Sequence, residues 1–112
     1  MTGLHVEPMT PFAAHVAQHG ERALVRLIGE LDLAAAPQAE AALAQAERWR
    51  PPLLEVDLST LAFMDSTGLR LMLRTRHRAQ DDGRRLLLHR GPVAVQRVFE
   101  ITSLASLFEF VD

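Results

Sequence analysis

Residues 53–73 read LLEVDLSTLAFMDSTGLRLML, and the fold turns on how this stretch is divided. Its first part, LLEVDL (Leu53 to Leu58), is apolar enough to be a strand at the centre of a sheet. Its last part starts a helix near Ser66, with Leu69, Met72 and Leu73 on one side, that continues to a stop at Asp81-Asp82-Gly83. Between them, Asp65, Ser66 and Thr67 stand together ahead of Gly68. One short polar side chain at a helix start is enough to cap it, worth about 1 kcal/mol. The surplus hydroxyls are therefore either redundant caps or a chemical handle.

Elements of the same kind lie on both sides. Upstream, Phe12, Ala14 and Val16 alternate with Ala13, His15 and Ala17, His19-Gly20 marks a turn, and ALVRLIG (Ala23 to Gly29) is rich in branched residues, which predicts a hairpin. GELDLAAAP reads as a loop, and Pro37 opens a helix with Ala39, Ala42, Leu43, Ala46 and Trp49 at helical spacing, stopped by Pro51-Pro52. Downstream, RLLLH (Arg85 to His89) is a strand and Gly91-Pro92 opens a helix with Val95, Val98, Phe99 and Thr102 on one stripe. After a turn from Ser103 to Ser106, LFEFV closes the chain as a strand. The order β-β-α-β-α-β-α-β predicts a single α/β domain over residues 12–112. It is a mostly parallel mixed sheet of about five strands with an antiparallel edge hairpin and helices packed on it. Residues 1–11 read as a loose lead-in.

Composition narrows the function classes. At 112 residues the chain holds one core, with 48% hydrophobic and 23% charged residues. A net charge of −2 gives no electrostatic case for nucleic acid or an anionic membrane. Without cysteine there is no disulfide, thiolate zinc site or cysteine nucleophile, which suits a reducing cytoplasm. The N-terminus lacks the basic and apolar regions of a secretory signal, and no apolar run approaches the ~20 residues of a membrane span.

The motifs leave two readings of the hydroxyl cluster. Capping alone accounts for one of the three residues. A hydroxyl beside the unpaired amides of a helix start is also a place where a phosphate is stabilised, and a phosphoserine changes the local charge by about −2. Gly29-Glu30-Leu31-Asp32 ends a strand, so Asp32 and Ser66 can share one rim of the sheet. Arg70, Arg74, His77 and Arg78 recur on one helix face, as a solvated stripe or a surface for an acidic partner. Ser66 has no glycine two residues before it, and His15, His19, His77 and His89 are scattered, which argues against a serine hydrolase. His15 and His19 do not face one another in a strand and turn, so no metal site is expected. There is no phosphate-binding glycine loop, and no cofactor is expected.

GELDLAAAPQ (Gly29 to Gln38), VDLSTLAFMDSTGLRLML (Val56 to Leu73) and VFEITSLASLFEFVD (Val98 to Asp112) together resemble the STAS domain of bacterial anti-sigma factor antagonists. The similarity runs from about Phe12 to the end. It implies a small cytoplasmic switch protein, not an enzyme. The unmodified form would bind an anti-sigma factor of the serine-kinase type and so release a sigma factor. The same partner would phosphorylate the serine after the motif aspartate, ending the binding, and a serine phosphatase would reverse it. On this sequence the phosphoacceptor is Ser66, and the expected partner-binding set is Glu30, Asp32, Asp65, Ser66, Thr67, Gly68 and Arg70. The family also contains binding subunits of lipid-transport and stress-signalling complexes, which is the main alternative; a nucleotide-binding or hydrolysing role is the alternative from the enzyme class. Two departures stand out: Ser103 occupies a turn position often held by glycine, and the first ten or so residues precede the similar region, with Met9 as a candidate for the true start.

Overall fold

The computed structural model describes residues 11–112. The expected lead-in and the question of Met9 fall almost wholly outside them. The elements are β1 (Ala13–His19), β2 (Arg22–Leu31), α1 (Ala36–Glu47), β3 (Leu53–Asp57), β4 (Leu61–Met64), α2 (Ser66–Asp82), β5 (Arg85–His89), α3 (Val93–Ile101), a 3-10 turn (Ala105–Leu107) and β6 (Glu109–Val111). The main sheet runs β1-β2-β3-β5-β6. β1 and β2 form the expected antiparallel hairpin through Gly20, whose φ of 60° is the left-handed value that a tight turn requires. The β2–β3, β3–β5 and β5–β6 pairs are parallel, and β3 is central, as its apolar density predicts.

The structure departs from the sequence reading most at β2. The strand does not stop at Gly29 but continues through Glu30 and Leu31. Its first half pairs with β3, and its last residues pair in parallel with β4, a sixth strand in a stretch to which the sequence reading assigned no element. The register shifts between Gly29 and Glu30, where Gly29 takes φ 94°. Glycine there lets the strand bulge and change partners without steric cost.

One hydrophobic core lies on one face of the sheet. Val25, Leu27, Leu31, Leu54, Val56 and Leu88 are fully buried there with Leu43 of α1, Leu71 and Met72 of α2, and Phe99 of α3. Each such side chain contributes about 1.5–3 kcal/mol on burial. Phe99 meets Phe108 and Phe110 edge-on, with ring centroids 5.2 and 5.1 Å away, and this fastens α3 to the last strand. The other face carries ion pairs: Arg22 and His89 on Glu55, Arg26 on Asp57, and Arg85 on Glu109.

The helix ends follow one pattern. Gly83 (φ 66°) closes α2, with its amide on Gln80 and that of Arg84 on Ala79. Ser103 (φ 60°) closes α3 in the same way, its amide on Glu100 and that of Leu104 on Phe99. The tight turn is therefore kept, with serine in a backbone conformation that suits glycine. α1 ends at Glu47, so Trp49 lies beyond it and is 38% exposed rather than on the buried stripe.

Candidate functional site

The fork in β2 builds the site. Leu31 and Met64 lie opposite one another as the last residues of two parallel strands, and the next residues are Asp32 and Asp65. The Asp65 amide donates to the Leu31 carbonyl at 3.3 Å, which ties the two strand ends together. Asp32 and the helix start thus share the carboxyl rim of the sheet.

Both acids accept backbone amides just downstream, but only Asp65 caps a helix. Asp65 is the N-cap of α2, with extended backbone, and its Oδ1 accepts the Thr67 amide at 2.8 Å. Asp32 instead closes the turn ahead of α1, whose N-cap is Ala35: its Oδ1 accepts the Ala35 amide at 3.1 Å and its carbonyl accepts that of Ala36 at 3.0 Å. Neither carboxylate bonds Ser66 among the described residues.

Ser66 is the first residue of α2 and is exposed. Among the described residues its hydroxyl makes no hydrogen bond. Thr67 is half-buried and Gly68 is buried. A Cβ at Gly68 would stand 2.4 Å from Met64 Cγ, so its place in the site is to let α2 settle on the strand ends. Glu30 is half-buried and pairs in register with Phe63. Arg70 is exposed one turn beyond Ser66.

The arginine stripe is not the free surface that the sequence suggested. Arg74 bonds Glu40 at 2.6 Å, and Arg78 bonds Glu47 through both carboxylate oxygens at 2.9 and 3.2 Å. These arginines tie α2 to α1. His77 faces Asp81 at 3.5 Å. Two residues that sequence reasoning passed over belong to the rim instead: Leu33, 76% exposed directly after Asp32, and Phe63, 44% exposed on β4. An apolar residue inside the GELDL loop was the available signal for the first. The second was hidden with its strand.

Chemically, the rim offers an unengaged hydroxyl beside carboxylates already committed to amides. His89, a possible base by residue type, is bonded to Glu55 at 3.0 Å on the helix-free face. Among the described residues no group of three or more His, Asp or Glu side chains could hold a metal. No helix there is long and apolar enough to cross a membrane.

A family model described as "Mlab, STAS domain" matches residues 14–109. The chain belongs to the STAS domain family. An anti-sigma factor antagonist from Mycobacterium paratuberculosis has the same fold, with a TM-score of 0.81, 26% identity, and coverage of 89% of this chain and 85% of that one. The anti-sigma factor antagonist SpoIIAA in its unphosphorylated form aligns with a TM-score of 0.74 at 25% identity, covering 89% of each chain. The Bacillus SpoIIAA in its phosphorylated form aligns at 0.68 and 24%, covering 89% of this STAS chain and 92% of that one. Comparison with curated proteins by sequence gives no significant match.

Proposed function

We propose that this STAS domain is an anti-sigma factor antagonist switched by phosphorylation of Ser66. The observation that carries the reading is the division of labour at the start of α2: Asp65 caps the helix, leaving the Ser66 hydroxyl exposed and unbonded. Two of the similar structures are SpoIIAA, one in its unphosphorylated and one in its phosphorylated form, which supports a modification of this kind.

The unmodified rim docks an anti-sigma factor of the serine-kinase type in the cytoplasm, through Asp32, Asp65, Ser66, Thr67, Arg70 and Glu30. In the transfer step Ser66 Oγ attacks the γ-phosphorus of ATP, ADP leaves, and the hydroxyl proton passes to a base of the kinase. The product carries about −2 charge beside Asp65 and Asp32. An interface that accommodated a neutral hydroxyl must then desolvate and repel a dianion, and the sigma factor is recaptured. A serine phosphatase resets the switch. The working unit is residues 12–112. A second reading keeps the rim as a docking surface without phosphorylation, as in a binding subunit of a lipid-transport or stress-signalling complex. The exposed Leu33 and Phe63 favour it, since apolar contact needs no phosphate.

Intact-mass measurement after incubation with ATP and a serine-kinase anti-sigma factor separates the two. The wild type should gain one phosphate, Ser66→Ala none, and Thr67→Ala one. Phosphate on Thr67 overturns the assignment. Stable binding with no transfer favours the second reading.

A further inference from the structure

We propose that Arg70 receives the phosphate on Ser66 in cis, so that modification withdraws a cation from the docking surface while adding a dianion. The inference rests on Ser66 as the phosphoacceptor. Arg70 lies four residues after Ser66, and positions four apart are neighbours on a helix surface. The next two arginines along the stripe are committed, Arg74 to Glu40 and Arg78 to Glu47. Arg70 is exposed and, among the described residues, bonds no carboxylate. The acids beside the serine cannot receive a phosphate, and Asp65 already holds the Thr67 amide. A guanidinium offers a planar fork that fits two phosphate oxygens, and such charge-assisted pairs are stronger than neutral ones.

The unmodified and modified surfaces then differ in two respects. With a free hydroxyl at Ser66, Arg70 points its charge at whatever docks on the rim. With a phosphate there, Arg70 folds back onto it, and the partner meets an acidic rim without that cation. The switch is steeper than the added charge alone would make it.

Phosphoserine placed at position 66 by co-translational incorporation makes the test independent of any kinase. The probe is the second ionisation of that phosphate, followed by 31P NMR titration at low salt. A neighbouring cation favours the dianion, so Arg70→Ala should raise this ionisation by about 0.2–0.4 pH unit. Arg70→Lys, which keeps the charge, should recover at least half of the shift, and Arg74→Ala should leave it unchanged. An Ala variant at position 70 that titrates like the wild type overturns the proposal. So does a Lys variant that titrates like Ala, or an Arg74→Ala shift as large as that of Arg70→Ala. Failure of kinase transfer to Ser66 would sink the phosphoacceptor reading instead, and the titration does not depend on that result.

Discussion

A Cβ on Gly68 would approach Met64 Cγ to 2.4 Å and Leu31 Cδ2 to 3.0 Å, and both neighbours are almost wholly buried at the strand ends. At this scale the glycine sets how closely the first turn of α2 sits on the fork, and hence where Ser66 is held. Alanine is the better helix former by about 1 kcal/mol, but overpacking a filled core costs about 1–3 kcal/mol. Gly68→Ala is therefore expected to destabilise by about 1 kcal/mol, the middle of a net range of about 0–2, read as a lower urea midpoint with an unchanged slope. An unchanged midpoint would mean that Met64 can give way freely. The neighbouring roles were partly legible: acid and hydroxyls before an apolar helical run announce a cap. Which of the three residues caps was not, because Asp65, Ser66 and Thr67 all can, and backbone geometry decides.

The elements show why some of the fold was hidden. Leu61-Ala62-Phe63-Met64 is a strand of four residues with only its two ends buried, so it lacks the alternation that marks a longer strand. Gly29 looks like a strand terminus, yet serves as the bulge that hands β2 from β3 to β4. The arginine stripe was visible, but its partners Glu40 and Glu47 lie 34 and 31 residues away in sequence, and periodicity says nothing about such pairs. The end of α3 offers an element-scale prediction. Ser103 holds the left-handed position that Gly83 holds after α2. That conformation costs a residue with a Cβ about 1–2 kcal/mol, partly offset by the greater freedom of glycine in the unfolded chain. Ser103→Gly should then stabilise by about 0.5–1 kcal/mol, a rise in Tm of about 3 °C. An unchanged or lower Tm would show that the serine is unstrained there.

Across the whole molecule, the two sheet faces answer to different conditions. The helix-covered face is apolar; the other holds Glu55 and Asp57, 6% and 7% exposed, within a lattice of arginines and His89. Burial pushes the Asp57 carboxyl up, but bonds from the Ser59 hydroxyl and amide and from Arg26, with the charge of His89, outweigh it, and the net direction is downward. A depressed carboxylate contributes stability above its unfolded value of about 3.9, and loses it as pH falls through the folded value. Asp57→Asn should cost about 1–3 kcal/mol at neutral pH and flatten the loss of stability below about pH 4. An acid limb as steep as that of the wild type would place the acid sensitivity elsewhere. The rim is the other whole-molecule feature, since it joins two strand ends, two helix starts and one exposed hydroxyl into a surface whose charge can be changed in one step. The most direct test of that claim is the Kd for a serine-kinase anti-sigma factor, measured with the unmodified chain and with phosphoserine fixed at position 66. The account predicts a loss of about 30-fold or more on phosphorylation, equivalent to about 2 kcal/mol, and equal affinity for the two forms would contradict it.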